Sequence, residues 1–181
     1  VEKKQIGELC QKIHDNAVAH GWWEGGVKGL NLDEVLLLIV GEVSELHEAY
    51  RRNRLDAPCD KDTTPKLNCF QEEAADIVIR LLDLMGAYEV NPVTVSLWPK
   101  PMGGTFGAQL FFLVHEIAAM RQEADDYDVD DIGATLSAFG EEILSQVWVL
   151  CEANGYDLWE CVEVKHAYNV TRPYRHGNLK A

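Results

Sequence analysis

Apolar residues recur at helical spacing along nearly the whole chain, and almost nowhere do they alternate as a strand would require. Ile6, Leu9, Cys10, Ile13, Ala17 and Val18 share one face of a helix predicted from about Lys3 to His20. Gly21 stops that helix, and Trp22, Trp23, Glu24, Gly25 and Gly26 follow as a glycine-rich loop with two large aromatics. A second helix starts at Asn31 or Asp33, either of which can cap it, and runs to about Arg52. Its first half, Val35 to Val40, is apolar all round, which marks a central helix rather than a surface one. The polar stretch Arg54 to Pro65 carries Pro58 and Pro65 and reads as a loop. A third helix covers about Leu67 to Ala87. The stretch Glu89 to Gly107 holds Pro92, Pro99, Pro101, Gly103 and Gly104 and reads as a linker, with Trp98 serving structural packing. A fourth helix spans about Ala108 to Ala124 and a fifth about Asp131 to Ala153, ending at Asn154 and Gly155. A sixth, from about Asp157 to Asn169, precedes a basic tail, Arg172 to Gly177. The expected architecture is all-α: a four-helix bundle core with flanking N- and C-terminal helices.

The bundle reading is sharpened by an internal repeat. Leu36 to Val43 aligns with Leu110 to Ile117, and Glu72 to Val78 aligns with Glu141 to Val147, the second match extending to Gly86 and Gly155, each read as ending its helix. The pseudo-repeats cover about residues 33–88 and 108–156 of one domain spanning 1–181, joined by the linker at about 89–107. A shorter loop in the second half absorbs the difference in register. A glutamate falls inside an apolar helix at equivalent places each time, Glu42 against Glu116 and Glu73 against Glu142.

Those glutamates have neighbours of their own kind. Residues three apart on a helix share a face, so Glu42 projects with Glu45 and Glu73 with Asp76. If the second and third helices pack antiparallel, four carboxylates converge between them. Beside the apolar stretches Leu36 to Val40 and Ile77 to Leu84, such charges repel and desolvate at a cost that an isolated surface ExxE does not meet. A hard divalent cation relieves it: magnesium takes oxygen ligands and keeps positions open for water and phosphate. A bound metal can neutralise phosphate charge and activate water as a nucleophile.

Composition narrows the classes of function. The chain has 181 residues, of which 47% are hydrophobic and 25% charged, the proportions of one soluble globular domain with a sizeable core. Its formal net charge of −14 repels phosphate backbones, so nucleic-acid binding is not expected, although bound divalent cations can still bring a polyphosphate to an acidic site. No apolar run is long enough to cross a membrane, and the polar start carries no signal-peptide pattern. The five cysteines are scattered without a CxxC pair, which fits free thiols and a cytoplasmic location.

The order of Glu42 and Glu45 on one helix, then Glu73 and Asp76 on the next, resembles the all-α nucleoside triphosphate pyrophosphohydrolase superfamily of MazG-like enzymes, dimeric dUTPases and phosphoribosyl-ATP pyrophosphohydrolases. Three further stretches carry the resemblance: His14 to Ala17 with Gly21, Trp22 and Trp23; Gly41 to Ala49; and Lys165 to Gly177, which looks like the C-terminal motif of MazG-like members. The resemblance implies hydrolysis of a nucleoside triphosphate to the monophosphate and pyrophosphate, with two or three Mg2+ on Glu42, Glu45, Glu73 and Asp76, and Mn2+ able to substitute. One glutamate, Glu45 or else Glu42, would orient or deprotonate the attacking water. The relatives are oligomers, so a homodimer or higher assembly is expected. The C-terminal motif tilts the choice toward a MazG-like enzyme, with a purine deoxynucleotide as a candidate substrate, over a dUTPase or dCTPase. In the second half Ala119 and Ser145 replace two of the carboxylates, so one working site per chain is expected and the second pair of helices becomes scaffold.

Lys165, Asn169 and Arg172, at i, i+4 and i+7, share a face and suit phosphate oxygens and a ribose hydroxyl or base edge. Alone, they would read as a basic C-terminal turn complementing the helix dipole. Taken with the resemblance they become substrate-binding candidates, joined by Tyr174 and Arg175 in the tail. His176 and Lys180 are weaker ones. Trp22 and Trp23 can stack on a base or pack on the core, and Asn16 can read a base, read a sugar, or cap. A carboxylate-bridged di-iron bundle needs two ExxH motifs, and only Glu163 to His166 fits. A non-catalytic helical interaction module remains the alternative of a different class.

Overall fold

The computed structural model describes residues 3–90, 104–124 and 132–178. The chain is all-α: α1 (Lys3–Ala19), α2 (Leu32–Arg51), α3 (Cys69–Ala87), α4 (Phe106–Ala124), α5 (Ile132–Ala153) and α6 (Leu158–Val170), with a 3-10 turn at Val27–Gly29 and a last kinked turn at Arg175–Asn178. Trp98, Lys180, most of the linker and the predicted start of the fifth helix at Asp131 lie outside the described residues.

The helix starts follow from local chemistry. The Asn31 side chain accepts from the backbone of Asp33 and Glu34 at the head of α2, and Asp157 does the same for Trp159 and Glu160 at the head of α6. At α3 the Asn68 side chain accepts from Gln71 N while the Gln71 side chain accepts from Asn68 N, so two otherwise orphaned donors are satisfied reciprocally.

α3, not α2, is the central helix. Ile77, Val78, Leu81, Leu82, Leu84 and Met85 are all wholly buried, and α3 packs on α1, α2, α5 and α6. Burying each such side chain is worth about 1.5–3 kcal/mol, which makes α3 the spine of the core. The expectation that α2 is central fails because Leu37 is 61% exposed and Leu38 37% exposed; only Leu36, Ile39, Val43 and Leu46 turn inward. α2 and α4 run antiparallel, with Tyr50 stacked on Phe106 at one end and Arg121 paired with Asp33 at the other. α4 packs in turn on α5, closing the four-helix core. No helix among the described residues is long and apolar enough to cross a membrane, and all five cysteines are free thiols.

Gly86 does not end its helix, as the repeat would have it; α3 continues to Ala87. A Cβ there would lie 2.7 Å from His14 Cβ and 3.4 Å from the Cys10 carbonyl oxygen, so the glycine lets α1 approach α3 closely. Gly86→Ala is therefore expected to destabilise the fold by about 1–3 kcal/mol by overpacking. Urea denaturation checks this, since at an open helical site the same change would be stabilising.

Candidate functional site

α2 and α3 pack side by side and bring three carboxylates together. Glu42, Glu73 and Asp76 each offer an oxygen, and these atoms lie within 4.8 Å of one another. Glu45 falls outside the set. Three residues turn a helix by about 300°, so Glu45 stands about 60° round from Glu42: Glu42 sits beside the inward-facing Ile39 and Leu46, while Glu45 is exposed on the rim. Three of the four expected ligands thus cluster, with Glu45 next to them on the same cavity.

The cluster's charge is only partly compensated, by Arg80 on Glu42 and Lys165 on Asp76. Burial, then the charges of Asp76, Glu45, Glu72 and Glu42, push the Glu73 carboxyl up to about 9. Burial also raises Glu42, against the opposing pull of Arg80, whose Nε donates to a Glu42 oxygen. Lys165 is 1% exposed and donates to Glu72 at 3.0 Å and to Asp76. Burial works against its ammonium, yet Asp76 and Glu72 outweigh burial and hold its pKa above the ordinary value. Lys165, expected among the phosphate contacts, lines the cavity with its ammonium held by two carboxylates of α3.

These groups form one wall of a cavity of about 380 Å3. Glu45, Asn16, Trp22, Trp23, Asn169, Arg172 and Arg175 also line it, and no described residue of α4 or α5 does. Glu116 and Glu142, the equivalents in the repeat, accordingly lie away from it; burial, with a contribution from the Glu142 charge, raises Glu116. On α6 the buried Oδ1 of Asn169 and Nδ1 of His166 have no hydrogen-bond partner among the described residues, and buried polar atoms are ordinarily paired with protein, water or a bound group.

The aromatic loop and the tail are buckled together. The His20 ring nitrogens lie 2.7 Å from the Asn16 carbonyl oxygen and 2.9 Å from that of Arg172. Arg175 donates to Glu24 at 2.9 Å and to the Gly21 carbonyl at 3.0 Å, while the Tyr174 hydroxyl bonds Glu24. Gly21 has φ 81° and no room for a Cβ, which would meet the Tyr174 ring at 2.3 Å. Tyr174, expected among the substrate contacts, is placed as a clasp and is not among the residues lining the cavity, whereas Arg175 serves the clasp and lines it. The two tryptophans divide. Trp23 Nε1 donates to Asp83 at 2.8 Å and its ring meets His14 edge-on, whereas Trp22 packs against His176 with no such anchor. Burial, then Arg172 and Arg80, pull His176 down to about 4.

Sequence reasoning overlooked Glu72, Arg80 and Asp83. A signal existed for Arg80, because Glu73, Asp76, Arg80 and Asp83 follow one helix face at i, i+3, i+7 and i+10. The same face includes Asp83, but its partners His14 and Trp23 arrive from α1 and the loop, and no spacing within α3 points to them.

The raised Glu73 carboxyl has a consequence for stability. Its folded pKa of about 9 exceeds its ordinary value of 4.5, so its contribution is fully present below about pH 4.5 and is lost as pH rises toward 9. Metal-free protein is expected to lose melting temperature relative to Glu73→Gln between pH 5 and pH 8.5, with the two nearly equal at pH 5. Thermal melts of both across that range check the sign.

In comparisons with known proteins the chain matches no family model, no curated protein and no solved structure.

Proposed function

We propose that the chain is a Mg2+-dependent nucleoside triphosphate pyrophosphohydrolase, converting a (d)NTP and water to the (d)NMP and pyrophosphate. One observation carries the reading: Glu42, Glu73 and Asp76 place oxygens within 4.8 Å of one another in the wall of a cavity that also holds Arg172 and Arg175. The donor set fits a hard divalent cation, being oxygen throughout and partly buried, with a Glu73 carboxyl that burial and then the neighbouring charges keep protonated near neutral pH. Mn2+ would serve in place of Mg2+.

Glu42, Glu73 and Asp76 would hold the metal, which when bound supplies neutralisation of phosphate charge and activation of water. Glu45, on the same cavity but outside the cluster, orients the attacking water or accepts its proton. Arg172, which makes no ion pair among the described residues, takes phosphate oxygens with help from Arg175. Asn169 offers its unpartnered Oδ1 to a hydroxyl or amino donor of the nucleoside, and Asn16 and Trp22 frame that end. The resemblance to MazG-like enzymes supports the same assignment.

A metal-free helical interaction module is the second reading. It is favoured by the ion pairs of Arg80 with Glu42 and of Lys165 with Asp76, which offset the carboxylate charge without a metal ion. Pyrophosphate release measured across the standard NTPs and dNTPs, with Mg2+ and with EDTA, separates the two. Metal-dependent release from at least one nucleotide is expected. An absence of release from all of them, together with no Mg2+ binding by calorimetry, would leave the module.

A further inference from the structure

Two cations sit on the carboxylate cluster, and they are not alike. Lys165 is 1% exposed and held by two carboxylates, so it has no freedom to leave. Arg80 has a side chain 37% exposed and lines the cavity. Among the described residues its hydrogen bond to Glu42 engages Nε alone, which leaves the terminal guanidinium nitrogens available. Its charge also bears, with that of Arg172, on His176, which lines the same cavity.

We infer that Arg80 is an exchangeable counter-ion: it neutralises Glu42 while the cluster holds no metal, and turns to phosphate oxygens of the substrate or of pyrophosphate once Glu42 is committed to a divalent cation. The inference rests on the metal-dependent reading above and adds a residue and a coupling to it. Glu42 cannot satisfy both partners equally. A carboxylate bonded to a guanidinium is a poorer ligand for Mg2+, so Arg80 competes with the metal. Released, the guanidinium presents a planar fork of donors matched to phosphate oxygens, which a lysine at the same place would not. Its position on α3, one turn beyond Asp76, puts it on the same cavity as the carboxylates, Arg172 and Arg175, within which a polyphosphate held by both groups would lie. A purely structural link from α2 to α3 would behave differently, because its loss would loosen the cluster and weaken every ligand.

The test is a pair of calorimetric titrations on the full chain, one with Mg2+ alone and one with inorganic pyrophosphate at fixed excess free Mg2+, for the wild type, Arg80→Met and Arg80→Lys. Arg80→Met is expected to bind Mg2+ about fivefold more tightly, the loss of one partly exposed competing ion pair, and pyrophosphate about tenfold more weakly, the loss of one charge-assisted contact. Arg80→Lys is expected to fall between on both. In the wild type, the Arg80 Nε–H resonance is expected to lose its protection from solvent exchange when Mg2+ is added, a readout that needs no variant. Equal affinities in Arg80→Met, or weakening of both, overturn the inference while leaving the metal site standing. Failure of the wild-type chain to bind Mg2+ overturns the metal reading and this inference together.

Discussion

Glu73→Gln is expected to lower Mg2+-dependent turnover by about a hundredfold or more while leaving the metal-free protein more stable at pH 8 than the wild type. The two effects have one cause. Glu73 is buried and crowded by Asp76, Glu45, Glu72 and Glu42, and burial first, then those charges, push its carboxyl up to about 9. A neutral glutamine of nearly the same shape avoids burying a carboxylate among those charges and would remove a proposed metal ligand with the same stroke. Opposite movement of stability and activity is the mark of a site whose carboxylates are held together against their mutual repulsion. Calorimetric Mg2+ titration and thermal melts of the same preparation read both effects. A stable variant with full turnover would remove Glu73 from the site, and a variant that loses both activity and stability would make it a structural residue.

Lys165→Met should act mainly on the fold. Its ammonium is 1% exposed and pairs with Glu72, itself 5% exposed at the side chain, and with Asp76. Removing one partner of such a buried network strands the other charges, typically at about 3–5 kcal/mol, which corresponds to roughly 10 °C in melting temperature for a chain of this size. Adding Glu72→Leu to Lys165→Met should recover a good part of the loss, since a buried ion pair replaced by apolar groups is often neutral or better. A lysine serving only as a phosphate ligand would behave otherwise: the melting temperature would hold and pyrophosphate affinity would fall. Differential scanning calorimetry of the single and double variants distinguishes these outcomes.

Periodicity carried the helices well because their starts are local. Asn31, Asn68 and Asp157 cap within their own turn, so α2, α3 and α6 begin within about two residues of where the pattern places them. Burial rank was not local. Val35 to Val40 looks more apolar than any other stretch, yet α3 takes the centre because α1, α2, α5 and α6 all lean on it. Leu37 and Leu38, by contrast, are left exposed at 61% and 37%.

The carboxylate spacing placed Glu42, Glu73 and Asp76 together, but a shared helix face is broad, and a turn of about 60° separates a buried Glu42 from an exposed Glu45. The cationic residues were harder. Whether Lys165 faces a ligand or Glu72 depends on how α6 lies on α3, and whether Tyr174 faces a substrate or Glu24 depends on where the tail folds back. No spacing within one helix encodes either.

Crystals grown with Mn2+ and a non-hydrolysable nucleoside triphosphate analogue would test the central claim most directly, because anomalous scattering locates manganese without assumption. The account predicts manganese bounded by Glu42, Glu73 and Asp76, with the triphosphate oxygens reaching from there toward Arg172. Manganese absent from those carboxylates, with Arg80 still on Glu42 and the phosphates bound elsewhere or not at all, would contradict it.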